Sequence, residues 1–145
     1  MTVSLRSVQR IALTVFASAT VLGCGSDTPT EVPTLAGTYQ ASTFQVTPTG
    51  QSTIDALSQG AVLSVVIAAN NATTGTLTLP ASVTGDVALT ASMAGTAVRT
   101  GANVAFQQSA DTFVRDLTWT LGATTLAVTD QTAGGARFTI VLTRP

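Results

Sequence analysis

A chain of 145 residues is long enough for one domain and too short for two comfortable ones, and only 9% of its residues are charged. Its six cationic side chains are all arginine, it has no lysine or histidine, and it has a single cysteine. This composition excludes imidazole and amine catalysis, His/Cys metal clusters, a disulfide within the chain, and the basic footprint that nucleic-acid binding needs.

The first 23 residues read as an export signal. Arg6 and Arg10 form its positive start, and Ile11 to Gly23 is an uncharged, strongly apolar run. That run is short for a membrane span, which takes about 20 apolar residues. It closes on Val21-Leu22-Gly23-Cys24, which resembles the bacterial lipobox: an aliphatic residue, a tolerant position, a small residue, then cysteine. The small residue gives the signal peptidase access to the bond, and the thiol is the nucleophile that takes the diacylglyceryl group. The resemblance implies cleavage before Cys24, lipid attachment at Cys24 and anchoring to a membrane. Gly25 and Ser26 follow, not aspartate; by the sorting rule of enteric bacteria this implies the outer membrane of a two-membrane cell.

Residues 24–34 are small, polar and proline-rich, as in Gly25-Ser26-Asp27-Thr28-Pro29, and bury too little to offset their ordering entropy. We read them as the lipidated cysteine and a flexible tether. With the signal removed, four arginines face seven acidic residues, a net charge of −3.

Residues 35–145 form the domain, and their apolar pattern has period two. Phe138, Ile140 and Leu142 alternate with Arg137, Thr139, Val141 and Thr143; Leu117, Trp119 and Leu121 alternate with Thr118 and Thr120. Eight strands are predicted, at about 37–47, 61–69, 74–80, 86–99 (bent near Gly95), 103–108, 115–121, 124–130 and 136–143. Asn70-Asn71, Gly101-Ala102-Asn103, Gly122-Ala123 and Gly134-Gly135 supply turns, and 52–59 is expected to make a short helical turn from Ile54 and Leu57. Short connections favour an all-β, eight-stranded antiparallel up-and-down barrel, because closure removes exposed edges. A two-sheet β-sandwich is the alternative that periodicity alone leaves open.

Leu35-Ala36-Gly37-Thr38-Tyr39 resembles the glycine-x-tryptophan opening of lipocalins, with tyrosine in place of tryptophan; Arg144 stands where those barrels place an arginine over that ring. Gly37-Thr38-Tyr39, Gln59-Gly60-Ala61, Asp111-Thr112-Phe113-Val114-Arg115-Asp116 and Leu142-Thr143-Arg144 also resemble, in this order, the small lipocalin-like domains of bacterial lipoproteins. The resemblance implies a closed barrel in which Tyr39 meets Arg144, and it brings no activity.

Of the candidate chemistry, Asp55, Asp86, Asp111, Asp116 and Asp130 sit at predicted strand ends and turns, where aspartate normally bonds local backbone; a catalytic carboxylate pair is the lesser reading. In 111–116 we expect Asp111 to cap a turn, Arg115 to pair with a carboxylate and Phe113 to close one end of the core. Asn71-Ala72-Thr73 fits a glycosylation sequon but is read as a turn. The expectation is therefore a non-enzymatic envelope barrel with no cofactor or metal and no nucleic-acid partner. It binds a small apolar ligand inside, or it serves as a protein–protein module. A cavity inside the barrel discriminates the two.

Overall fold

The computed structural model describes residues 33–145, so the export signal and Cys24 lie outside the described residues. The described chain closes into an eight-stranded antiparallel barrel. Its staves are β1 (Gly37–Pro48), β3 (Val62–Ile67), β4 (Ala72–Leu79), β6 (Gly95–Thr100), β7 (Asn103–Gln108), β8 (Thr118–Leu121), β9 (Thr125–Ala133) and β10 (Ala136–Thr143). Each pairs with the next along the chain, and β10 returns to β1 over Gln40↔Thr143 to Pro48↔Ala136. Two short strands are added: β2 (Ile54–Asp55) against β1 and β5 (Leu89–Ser92) against β4. Single helical turns, α1 (Ala81–Thr84) and α2 (Phe113–Asp116), complete the described elements. The barrel holds and the sandwich does not.

Alternation explains the closure. Inward side chains are apolar and outward ones are mostly threonine, serine, glutamine and small residues, as on β8, where Trp119 and Leu121 are buried and Thr118 and Thr120 exposed. Polar outside and apolar inside is the reverse of a membrane-spanning barrel. Phe138, Ile140 and Leu142 of β10 face the same core as Leu117 and Trp119.

Several boundaries differ from expectation, each for a local reason. The run 86–99 is not one strand but β5 and β6, interrupted at Met93-Ala94 just before Gly95. Gly95 lies so close to β7 that a Cβ there would strike the Gln107 carbonyl oxygen, so the chain crosses at the one residue without a side chain. The short turn expected over 52–59 is displaced to Ala56–Gly60, where Gln59 N–H donates to the Ala56 carbonyl at 3.1 Å and Gly60 N–H to the Leu57 carbonyl at 3.0 Å, because Ile54-Asp55 is taken up in pairing with β1. The strand expected at 115–121 starts at Thr118, because 113–116 winds into α2 and buries Val114 one turn from Leu117. The strand expected to stop at residue 130 runs on to Ala133, past a bulge opposite Phe138 to Ile140.

Antiparallel order sorts the loops to two ends. The base holds the arriving segment 33–36, the β3–β4, β6–β7 and β8–β9 hairpins, and Arg144. The far end holds the longer connections, including α1 and α2. Charge is sorted with them: Arg99 and Arg144 lie at the base, whereas Asp55, Asp86, Asp111, Asp116 and Asp130 all lie toward the far end with Arg115 and Arg137.

Candidate functional site

The base is built around Tyr39, the third residue of β1, whose ring points inward and is fully buried. Its hydroxyl donates to the Leu35 carbonyl at 3.0 Å. Arg144, just past β10, places its guanidinium 5.9 Å from the ring centre. The same group donates to the Ala36 carbonyl at 2.8 Å and to the Ala123 carbonyl at 3.0 Å, so it ties the start of β1 to the β8–β9 turn. Burial raises the Tyr39 phenol above its ordinary pKa of 10.0, and the positive charge of Arg144 opposes that shift. Arg99 of β6 completes the base: it donates to the Pro33 carbonyl at 2.6 Å and the Gly101 carbonyl at 2.7 Å. Pro33 and Thr34, the last residues of the segment read as tether, are thus gripped by two arginines, since Arg144 also reaches the Thr34 carbonyl at 3.3 Å. A buried phenol and two guanidinium groups bonded to backbone carbonyls make a clasp.

The interior is occupied by side chains. Trp119, Tyr39, Phe44 and Phe106 are essentially free of solvent contact, and Phe106 meets Trp119 edge-to-face at 5.6 Å. At the far end Phe113 lies flat on Phe138, with ring centres 4.2 Å apart and planes 5° from parallel, and reaches Phe44 at 6.0 Å. Phe113 closes that end of the core as expected. Grooves lie outside the core, at the base and on the outer wall. One of about 400 Å³ runs between the 33–36 segment, Asn71 and Arg99; a smaller one of about 220 Å³ is lined by Gln45, Thr47, Thr53, Asp130, Arg137 and Thr139. Both open to solvent.

At the far end Arg115 pairs with Asp111, as the segment implied, and both side chains are exposed. Asp111 does not cap the turn. Thr112 occupies the capping position without a side-chain cap bond, and its buried hydroxyl is unpartnered, as is the buried Oε1 of Gln108. Gln108 spends its amide on the Met93 sulfur at 3.2 Å. Asp55 accepts from the Leu57 N–H at 3.1 Å, an ordinary turn role. Asn71 takes the left-handed conformation, φ 64°, in the β3–β4 hairpin, and Asn70 accepts from the Ala72 N–H at 3.1 Å, again turn chemistry. Among the described residues no three His, Cys, Asp or Glu side chains converge, and no helix is long and apolar enough to cross a membrane.

Sequence reasoning missed three features. Arg99 reaching Pro33 is a contact 66 residues apart with no local trace. Asp130 has φ 55° at the β9 bulge and pairs with Arg137 at 3.2 Å; the signal was there, since Asp130 stands where alternation after Leu126 and Val128 calls for an apolar residue. The third is the open side of β5, which lies within the strand expected at 86–99 but lacks a neighbour on one side. The chain matches no family model, and neither a curated protein nor a solved structure pairs with it.

Proposed function

We propose that this chain is an envelope lipoprotein, anchored through Cys24, whose barrel is a rigid, non-enzymatic scaffold that presents its surface to other proteins. One observation carries the choice of scaffold over ligand carrier. A pocket for a small molecule takes roughly 300–1,000 Å³, and the space where a carrier would hold its ligand is taken by Trp119, Tyr39, Phe44 and Phe106. An eight-stranded barrel is just wide enough to be filled in this way. The anchor rests on Arg6, Arg10, the apolar run 11–23 and the lipobox ending at the chain's single cysteine.

Two experiments test the two halves. Replacing Cys24→Ala should abolish metabolic fatty-acid labelling and leave the uncleaved precursor; unchanged labelling refutes the anchor. Native mass spectrometry of the full chain released from detergent should give the mass of the lipidated polypeptide alone. A stoichiometric further adduct that survives purification would make the barrel a carrier and overturn the scaffold.

A further inference from the structure

β5 has β4 on one side and no strand on the other. The register says which groups face the open side. The Met93 N–H donates to the Gly75 carbonyl at 3.0 Å, which makes Gly75 and Met93 a bonded pair. Antiparallel ladders alternate, so Leu77–Ala91 and Leu79–Leu89 are the next bonded pairs. The backbone groups of Thr90 and Ser92 therefore point away from β4. The neighbour on that side would be β7, but the last bond there is Ser109 N–H to the Ala94 carbonyl at 3.3 Å, after which the chain departs toward α2. Two N–H and two C=O groups of Thr90 and Ser92 are left as an open edge, and both residues are exposed.

Natural edges are guarded by shortness, charge, proline or a covering loop, and β5, with four residues, has the first of these. From Val87 to Ser92 there is no charged residue and no proline, and Val87 and Leu89 are 71% and 37% exposed. The surrounding charge selects the occupant. Every described aspartate lies toward this end, Asp86 directly precedes Val87, and the two arginines here, Arg115 and Arg137, are each paired with an aspartate. A second copy would bring the same acidic end against it, whereas a basic segment complements it. We infer that β5 is a docking edge for an extended, lysine- or arginine-bearing segment of a partner protein, which adds to the sheet as a further strand. This rests on the scaffold reading and supplies its interaction surface.

The test uses the full chain in mild detergent and two capped eight-residue peptides, one alternating valine and lysine, the other valine and glutamate. The lysine peptide should bind at least tenfold more tightly, and binding should slow amide exchange at Thr90 and Ser92 but not at Ala91, which is already bonded. Thr90→Pro removes an outward N–H and none of the β4 bonds, so it should weaken binding at least tenfold with an unchanged far-ultraviolet spectrum. Asp86→Lys, outside the strand, should reduce the preference for the lysine peptide, and it serves if the proline variant misfolds. Equal affinity for both peptides, no binding of either, or protection elsewhere overturns the inference. Self-association that Thr90→Pro dissolves also overturns it, in favour of a second copy. Failure of the peptides beside an adduct-free mass leaves the scaffold standing without this edge; a bound adduct removes the scaffold whatever the peptides do.

Discussion

The Arg144 guanidinium stands 5.9 Å from the centre of the Tyr39 ring, and this contact joins the two ends of the domain's chain. Tyr39 opens the first stave and Arg144 follows the last, so antiparallel closure of β10 on β1 brings both to the base. The planar guanidinium suits the role because it can face an aromatic ring and donate in fixed directions to the Ala36 and Ala123 carbonyls together.

Replacing Arg144→Ala should therefore cost about 2–4 kcal/mol, combining lost charge-assisted bonds with the lost ring contact. Arg144→Lys keeps the charge but not the fork, and should cost about 1–2 kcal/mol. Denaturant midpoints of the two variants give the comparison. If both lie within about 0.5 kcal/mol of the parent, as for an ordinary surface position, the clasp is decoration.

Tyr39 gives the domain a sensitivity to base. Its folded pKa lies above the ordinary 10.0, so as pH rises the unfolded chain releases its phenolic proton first. Stability is then full below about pH 10 and falls above it, because the unfolded state binds fewer protons there. Tyr39 is the chain's single tyrosine, so tyrosinate absorbance isolates it. The expected outcome is a falling unfolding midpoint above pH 10 in the parent. Tyr39→Phe should start less stable, without the Leu35 bond, and should lack that fall. Equal pH dependence in the two would refute the assignment.

What was legible in the sequence was whatever a period of two encodes. Phe138, Ile140 and Leu142 reported their face directly, and so did Trp119 and Leu121. Closure was legible from the short connections between strands and from the two chain ends, where Tyr39 and Arg144 carried it. The far end was misread because its residues answer to distant neighbours. Val114 and Leu117 carry a one-turn helical spacing inside a run that otherwise looks like strand. The bend near Gly95 and the end of β7 at Gln108 were both readable, but the open side of β5 depends on which strands become neighbours across the barrel, which periodicity does not encode. The clasp on Pro33 was hidden for the same reason, since composition reports that a segment can move and says nothing of a distant arginine that holds it.

Gly95 offers a sharp steric test. A Cβ there would collide with the Gln107 carbonyl oxygen and crowd the Gln108 Cα, which are backbone atoms that cannot rotate away. Gly95→Ala should cost about 3 kcal/mol or more by forcing β6 from β7. Gly50→Ala is the control: it has φ 74° but open space around it, and should cost about 1 kcal/mol from backbone strain alone. Similar midpoints for the two variants would show that the close crossing is looser than its geometry implies.

The last prediction concerns β10, which is bonded to β9 on one side and to β1 on the other. Removing residues 136–145 would take away Phe138, Ile140 and Leu142, each 5% exposed or less, together with Arg144. Burial of a side chain of this size stabilises by roughly 1.5–3 kcal/mol, so the three together match much of the 5–15 kcal/mol that holds a typical domain. Phe113 would also lose the ring it stacks on, which opens the far end of the core. The same deletion exposes the edges of β1 and β9, and freed edges recruit other chains. The truncated chain should therefore lose the whole fold and associate, not fray at one terminus. Denaturant unfolding followed by Trp119 fluorescence is the measurement, because that residue sits on β8, away from the deleted strand, and reports the remaining core. A cooperative transition of near-parental midpoint would show that β10 is peripheral and that the barrel does not depend on its closure.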